Sequence, residues 1–178
     1  MKRSQRMARR RELLPAVAWY ANTEMLIGMA TSARDSMARQ HRKFKVGGAM
    51  VALDPRGDVH FLSAGNYMPR PANEGPRRCA EDFLCTRARK YGCSEIIGMV
   101  ILAPPQADDF CGLDLGVTVP CGTCRSMFSR EISNRGLIRP HTRLLCVNVD
   151  DRRIQVEMTV QEMLRRCDEA TRERGAIA

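Results

Sequence analysis

The residues of this chain that could do chemistry fall in two clusters. Cys79-Ala80-Glu81 forms the first, and Pro120-Cys121-Gly122-Thr123-Cys124 forms the second. One thiol followed further along the chain by a Cys-x-x-Cys pair can hold a zinc ion tetrahedrally and leave its fourth position to water. Glu81, two residues beyond the first thiol, is placed as a proton shuttle and not as a fourth ligand. An activated water beside a carboxylate is the apparatus for hydrolytic removal of an amino group from a nucleobase.

Both clusters need elements that present them. Ala80 to Tyr91 reads as a helix, with Leu84 and Ala88 inward and Gly92 as its stop. Cys79 and Glu81 then sit at a helix N-terminus, whose partial positive charge favours thiolate and carboxylate. Pro120 precedes a second helix, Cys121 to Ile132, which puts the remaining thiols at another N-terminus. Between the helices, Ile96 to Ala103 is a continuous apolar run suited to a strand buried on both faces.

Upstream, Glu12 to Met37 is helical in pattern. Pro15 suits its first turn, and Trp19, Leu26, Ala30, Ala33 and Met37 recur at helical spacing. We read it as a helix packed on a sheet and not as a partner-binding helix. Lys45 to Leu53 and Val59 to Ala64 are strands around the turn Asp54-Pro55-Arg56-Gly57-Asp58, with Gly47-Gly48 marking close backbone approach. Loops are expected at Met68 to Arg78 and at Pro104 to Val119. Beyond Gly136 and Pro140 come strands Arg143 to Val149 and Arg153 to Glu157, then a closing helix, Thr159 to Glu173. This order predicts an α/β fold, a mixed sheet sandwiched by helices.

Cys-Ala-Glu followed by Pro-Cys-Gly-Thr-Cys-Arg resembles the cytidine deaminase superfamily, in the three-cysteine branch with the small tetrameric cytidine deaminases and blasticidin S deaminase. Phe44-Lys45-Val46-Gly47-Gly48-Ala49 is similar to the family's Phe-x-Val-Gly-Ala-Ala strand, and the likeness extends from Phe44 to Leu164. It implies a three-layer α/β/α sandwich with a mixed five-stranded sheet. It also implies Zn²⁺ on Cys79, Cys121 and Cys124, Glu81 as the catalytic acid–base group, and ammonia release from a cytidine-like nucleoside, nucleotide or nucleoside antibiotic. Phe44, Asn66, Ala80 and Arg70 are the expected substrate contacts. A homo-oligomer is implied too, a tetramer or else a dimer.

The chain departs from that family pattern at three places. An arginine commonly follows the family's Cys-Ala-Glu and offsets the charge of the thiolates, but Asp82 stands here, so Arg125 or Arg78 is expected to take over. The Asn-x-Glu pair that holds ribose hydroxyls is replaced by Met68 and Arg70 at that spacing, which leaves Asn66 as the nearest candidate. No aromatic residue follows Phe128, where the family has one near its C-terminus. Arg70, Arg77 and Arg78 could grip a phosphate, against the plainer reading of a solvated basic loop.

A length of 178 residues suits one domain, 12–178, preceded by a basic tail over 1–11. No apolar run is long enough to span a membrane, and no secretion signal is read. Eight cysteines then point to a reducing, cytoplasmic setting. Cys85, Cys93, Cys146 and Cys167 read as small buried residues, whereas Cys111 could close the zinc site from its loop. His41, His60 and His141 are read as core or surface residues and not as ligands.

The formal charge of +9 allows a nucleic-acid partner, so an editing deaminase acting on single strands is an alternative. Five Phe, three Tyr and one Trp are a thin supply for base stacking and disfavour it. A non-catalytic zinc-containing binding protein of the same fold is the remaining reading.

Overall fold

The computed structural model describes residues 16–36, 44–67, 78–105 and 115–177. The expected basic tail, Glu12, Pro15, Met37, His41, Arg70, Arg77 and Cys111 lie outside the described residues. Five strands, β1 (Gly47–Leu53), β2 (Val59–Gly65), β3 (Glu95–Ala103), β4 (Arg143–Asn148) and β5 (Gln155–Thr159), form one sheet in the order β2-β1-β3-β4-β5. β3 and β4 run parallel and the other neighbours antiparallel, so the sheet is mixed as expected.

Alternation along the strands divides the core in two. Ala49, Val51, Val100, Leu102, Leu145 and Val147 face one side, where Leu26, Ile27 and Ala30 of α1 (Thr23–Ser36) cover them together with Trp19. Met50, Met99, Ile101, Leu144 and Cys146 face the other. Leu84 of α2 (Ala80–Lys90), Phe128 of α3 (Gly122–Ser133) and Met163 of α4 (Val160–Ile177) pack there. A strand with helices on both sides must be apolar on both faces, and residues 96–103 of β3 are all buried.

The expected first helix is interrupted. Residues 16–20 are helical, a turn follows at 21–22, and α1 starts at Thr23. At the break the Asn22 amide donates to the Ala18 carbonyl at 2.8 Å, and the Thr23 hydroxyl donates to the Trp19 carbonyl at 3.1 Å. Such local bonds compete with the helical ladder. Trp19 is 1 % exposed, and its indole N–H donates to Glu157 at 2.9 Å, tying this first segment to β5.

β5 also begins two residues later than Arg153. The Asn148 side-chain oxygen accepts from the N–H groups of Asp150 and Asp151, and the Ile154 N–H donates to the Asp151 carbonyl. Arg153 is therefore part of a turn. α2 ends as expected at Gly92, whose φ of 70° lets it and Cys93 donate to the Arg89 and Ala88 carbonyls. α3 ends in the same way, except that Arg135 takes the left-handed position (φ 51°) and Gly136 follows it.

Candidate active site

The site is assembled where α2 and α3 begin. Cys79 is the N-cap of α2 and Cys121 the N-cap of α3, both with extended backbone. Cys124 lies in the first turn of α3. Tyr67 and Arg78 exchange two main-chain hydrogen bonds of 2.8 Å, which brings the end of β2 against the residue before Cys79. Close packing then sets α2 on the sheet: a Cβ on Gly48 would stand 2.8 Å from Leu84 Cδ1 and 3.4 Å from Ala80 Cβ.

The three sulfurs of Cys79, Cys121 and Cys124 lie within 4.8 Å of one another, and the Cys79 and Cys121 sulfurs are 3.5 Å apart. A tetrahedral zinc ion with about 2.3 Å bonds separates its thiolates by about 3.8 Å. The donor set therefore fits a metal ion of that kind. His60 and His141 take no part: His60 lies 3.8 Å from Asp54 and His141 bonds Glu95.

Without a cation the three thiols cannot all ionise, and the cluster divides its protons accordingly. The Cys121 sulfur is pulled far down, since it accepts from the Cys124 and Cys79 thiols and from the N–H groups of Cys124 and Thr123. Cys79 is pushed up to about 12, chiefly by that hydrogen bond to Cys121, and Cys124 is pushed up for the same reason. These are the opposing needs that a dication would reconcile.

Glu81 is 4 % exposed and lies in the first turn of α2. Burial pushes its carboxyl up to about 7, with Cys121 adding, while its own N–H and the Cys124 thiol act the other way.

Glu81 and the three cysteines border one cavity of about 540 Å³. Of the expected contacts, Phe44, Asn66, Ala80 and Arg78 line it, and Arg70 lies outside the described residues. Asn66 is buried and its amide is already committed: it accepts from the Val46 N–H and donates to the Phe44 carbonyl, each at 3.0 Å. It thereby holds Phe44 and Val46 on the cavity wall. Arg78 donates to Asp82 at 2.6 Å and to Thr86 at 2.9 Å, with its guanidinium 4.3 Å from the Phe83 ring centre. Arg125 donates to the Pro120 carbonyl at 3.0 Å, bracing the turn before Cys121.

The sequence reading did not single out Thr123, Met127 and Arg130, which also line the cavity. They are spaced four and three residues apart on α3, so one helix face carries all three. That spacing, counted from the Cys-x-x-Cys pair, was the available signal.

This sheet order with its helices on both faces is the fold of the cytidine deaminases. The cytidine deaminase of Burkholderia pseudomallei is similar at a TM-score of 0.55 and 20% identity, over 78% of this chain and 93% of that one. The cytidine deaminase of Mycobacterium tuberculosis is similar at 0.50 and 20% identity, over 80% and 93%. No family model matches the chain, and no curated protein matches it in sequence. Among the described residues no helix is long and apolar enough to cross a membrane.

Proposed function

We propose that this protein is a zinc-dependent hydrolytic deaminase of a cytidine-like nucleoside, nucleotide or nucleoside antibiotic. The observation that carries the reading is the convergence of three sulfurs and a buried glutamate, from two helix N-termini, on one cavity. Cys79, Cys121 and Cys124 hold the metal. When bound, zinc supplies the Lewis acidity that lowers the pKa of a water molecule towards about 7.

Glu81 takes a proton from the attacking water and delivers it to the ring nitrogen beside the amino-bearing carbon. A C–O bond forms at that carbon; Glu81 then takes the hydroxyl proton of this adduct and passes it to the amino group, so that C=O forms as the C–N bond breaks and ammonia leaves. Phe44 and Asn66 flank the base, with Asn66 also positioning Phe44, and Ala80 lets the ring lie close to α2. The helix N-termini, Arg125 and Arg78 offset the charge of three thiolates on a dication. Asp82 takes up part of the Arg78 charge, so zinc affinity should fall further in Arg125→Ala than in Arg78→Ala. The same reading includes a cytoplasmic homo-oligomer, a tetramer, which sedimentation of the purified protein tests.

Ammonia release by the zinc-loaded protein is the direct test. Cytidine, deoxycytidine, their monophosphates, blasticidin S, cytosine and adenine should be compared, with Glu81→Gln as the blank. Turnover of one of the cytosine compounds supports the reading. Silence on all of them with one zinc per chain defeats it in favour of a structural zinc site.

A further inference from the structure

We propose that the cavity takes a substrate carrying an anionic group, which Arg130 binds. The inference rests on the deaminase reading for what reacts at the thiol end, and goes beyond it in naming the substrate's charge.

α3 forms a wall of the cavity along much of its length. Cys121 and Cys124 stand at its N-terminal end, Thr123 and Met127 follow, and Arg130 comes in its last turn. At 1.5 Å per residue, Arg130 is about 9 Å along the helix axis from Cys124. On that helix Met127 lies between the thiols and Arg130, and Val46, Ile101 and Val119 add apolar lining suited to a ring. A nucleoside has this order of parts: a base, a sugar, and a 5′ substituent carried away from the base.

Among the described residues two arginines line the cavity, and they differ. Arg78 is bound to Asp82 and Thr86 and stacked on Phe83, so its charge is already matched. Arg130 is exposed, and among the described residues its guanidinium makes no ion pair or side-chain hydrogen bond. An unmatched guanidinium offers two parallel N–H donors, the geometry that phosphate and carboxylate accept. A neutral sugar gives it no comparable partner. The shared chemistry is therefore an anion at the 5′ end, either a phosphate or a carboxylate.

The test uses the zinc-loaded full chain, its Arg130→Gln and Arg130→Lys variants, and three substrates: cytidine, cytidine 5′-monophosphate and the 5′-carboxylate of cytidine. The quantity read is the ratio of kcat/KM for each anionic compound to that for cytidine. Binding of uridine and uridine 5′-monophosphate, read by calorimetry, is measured beside it. In the parent one anionic compound should be preferred by about 10- to 100-fold, and which one is preferred decides between phosphate and carboxylate. Arg130→Gln should abolish that preference, and Arg130→Lys should restore part of it, keeping the charge without the fork.

A ratio near one in the parent overturns the proposal. So does a loss in Arg130→Gln shared equally by neutral and anionic compounds, which is what a purely structural role would give. Turnover of cytidine without preference sinks this inference and leaves the deaminase reading standing. Arg130-dependent binding of uridine 5′-monophosphate with no turnover of any compound does the reverse.

Discussion

Gly47 and Gly48 are neighbours on β1 that point to opposite faces of the sheet, and the faces are built differently. A Cβ on Gly47 would lie 2.0 Å from the Ala30 carbonyl oxygen and 2.8 Å from Arg34 Cβ. On that side, α1 presses its backbone onto the strand. A Cβ on Gly48 would meet Leu84 Cδ1 at 2.8 Å and Ala80 Cβ at 3.4 Å. On this side the neighbours are a flexible side-chain tip and the first residue of α2. The α1 face is held along the body of a helix and carries none of the grouped thiols. The other face presents the ends of two helices, where unsatisfied N–H groups and partial charge collect. Stability and catalysis are therefore expected to separate by face.

The largest effects should come from the helix ends. Glu81→Gln is expected to retain one zinc per chain and lose about 10²–10⁴-fold or more of kcat, the usual contribution of a positioned acid–base group. Metal analysis beside ammonia release reads both quantities. Cys124→Ser should lose the zinc itself. Were Glu81→Gln to release ammonia at the parental rate, the site face would carry no acid–base chemistry and the contrast would collapse.

Gly47→Ala is the counterpart on the other face. Its new methyl meets a backbone carbonyl that cannot rotate away, so a loss of about 3 kcal/mol of stability is expected, measured by urea unfolding. The fraction that folds should keep its zinc and its kcat.

Gly48→Ala sharpens the comparison within a single residue step. Leu84 can turn aside, so about 1 kcal/mol is expected. The contact with Ala80, however, bears on the turn that carries Cys79 and Glu81. Small misplacements of reacting groups are costly, and kcat should fall by about tenfold, more than the stability loss alone would suggest. A Gly48→Ala protein that is destabilised but fully active would show that the two faces are not separable in this way.

How far these features were legible in the sequence depends on how local their causes are. The grouping of the three thiols could be read because a thiol and a Cys-x-x-Cys pair, each at the start of a helix, carry that expectation in their spacing. β3 could be read because burial on both faces leaves an unbroken apolar run. The break at residues 21–22 was missed because the apolar spacing of the segment continues through it. Arg135 at a left-handed position was missed because Gly136 beside it is the residue type that adopts that conformation at least cost. The pairing of Arg78 with Asp82 was open to inspection as an i, i+4 pair. The place of Arg130 was not, since it depends on which face of α3 the sheet leaves open.

The smallest expected effect lies at the other end of β1, away from the thiols. Asp54 Oδ1 accepts from the Asp58 and Arg56 N–H groups at 2.9 and 2.8 Å, closing the hairpin between β1 and β2. The N–H of Asp58 is the main cause holding this carboxyl below its ordinary range, with partial desolvation opposing it and Arg56 assisting. A carboxylate whose folded pKa is lowered contributes stability above its unfolded value and loses it as pH falls through the folded one. Asp54→Asn keeps an oxygen acceptor but removes the charge. The parent should therefore unfold at higher urea than Asp54→Asn at pH 7, and the two midpoints should converge as the pH falls below about 4. A gap that persists unchanged in acid would mean that the shape of the turn, not the charge of Asp54, holds the hairpin. Activity should follow neither arm, because this turn braces the strand from the end opposite Gly48 and Ala80.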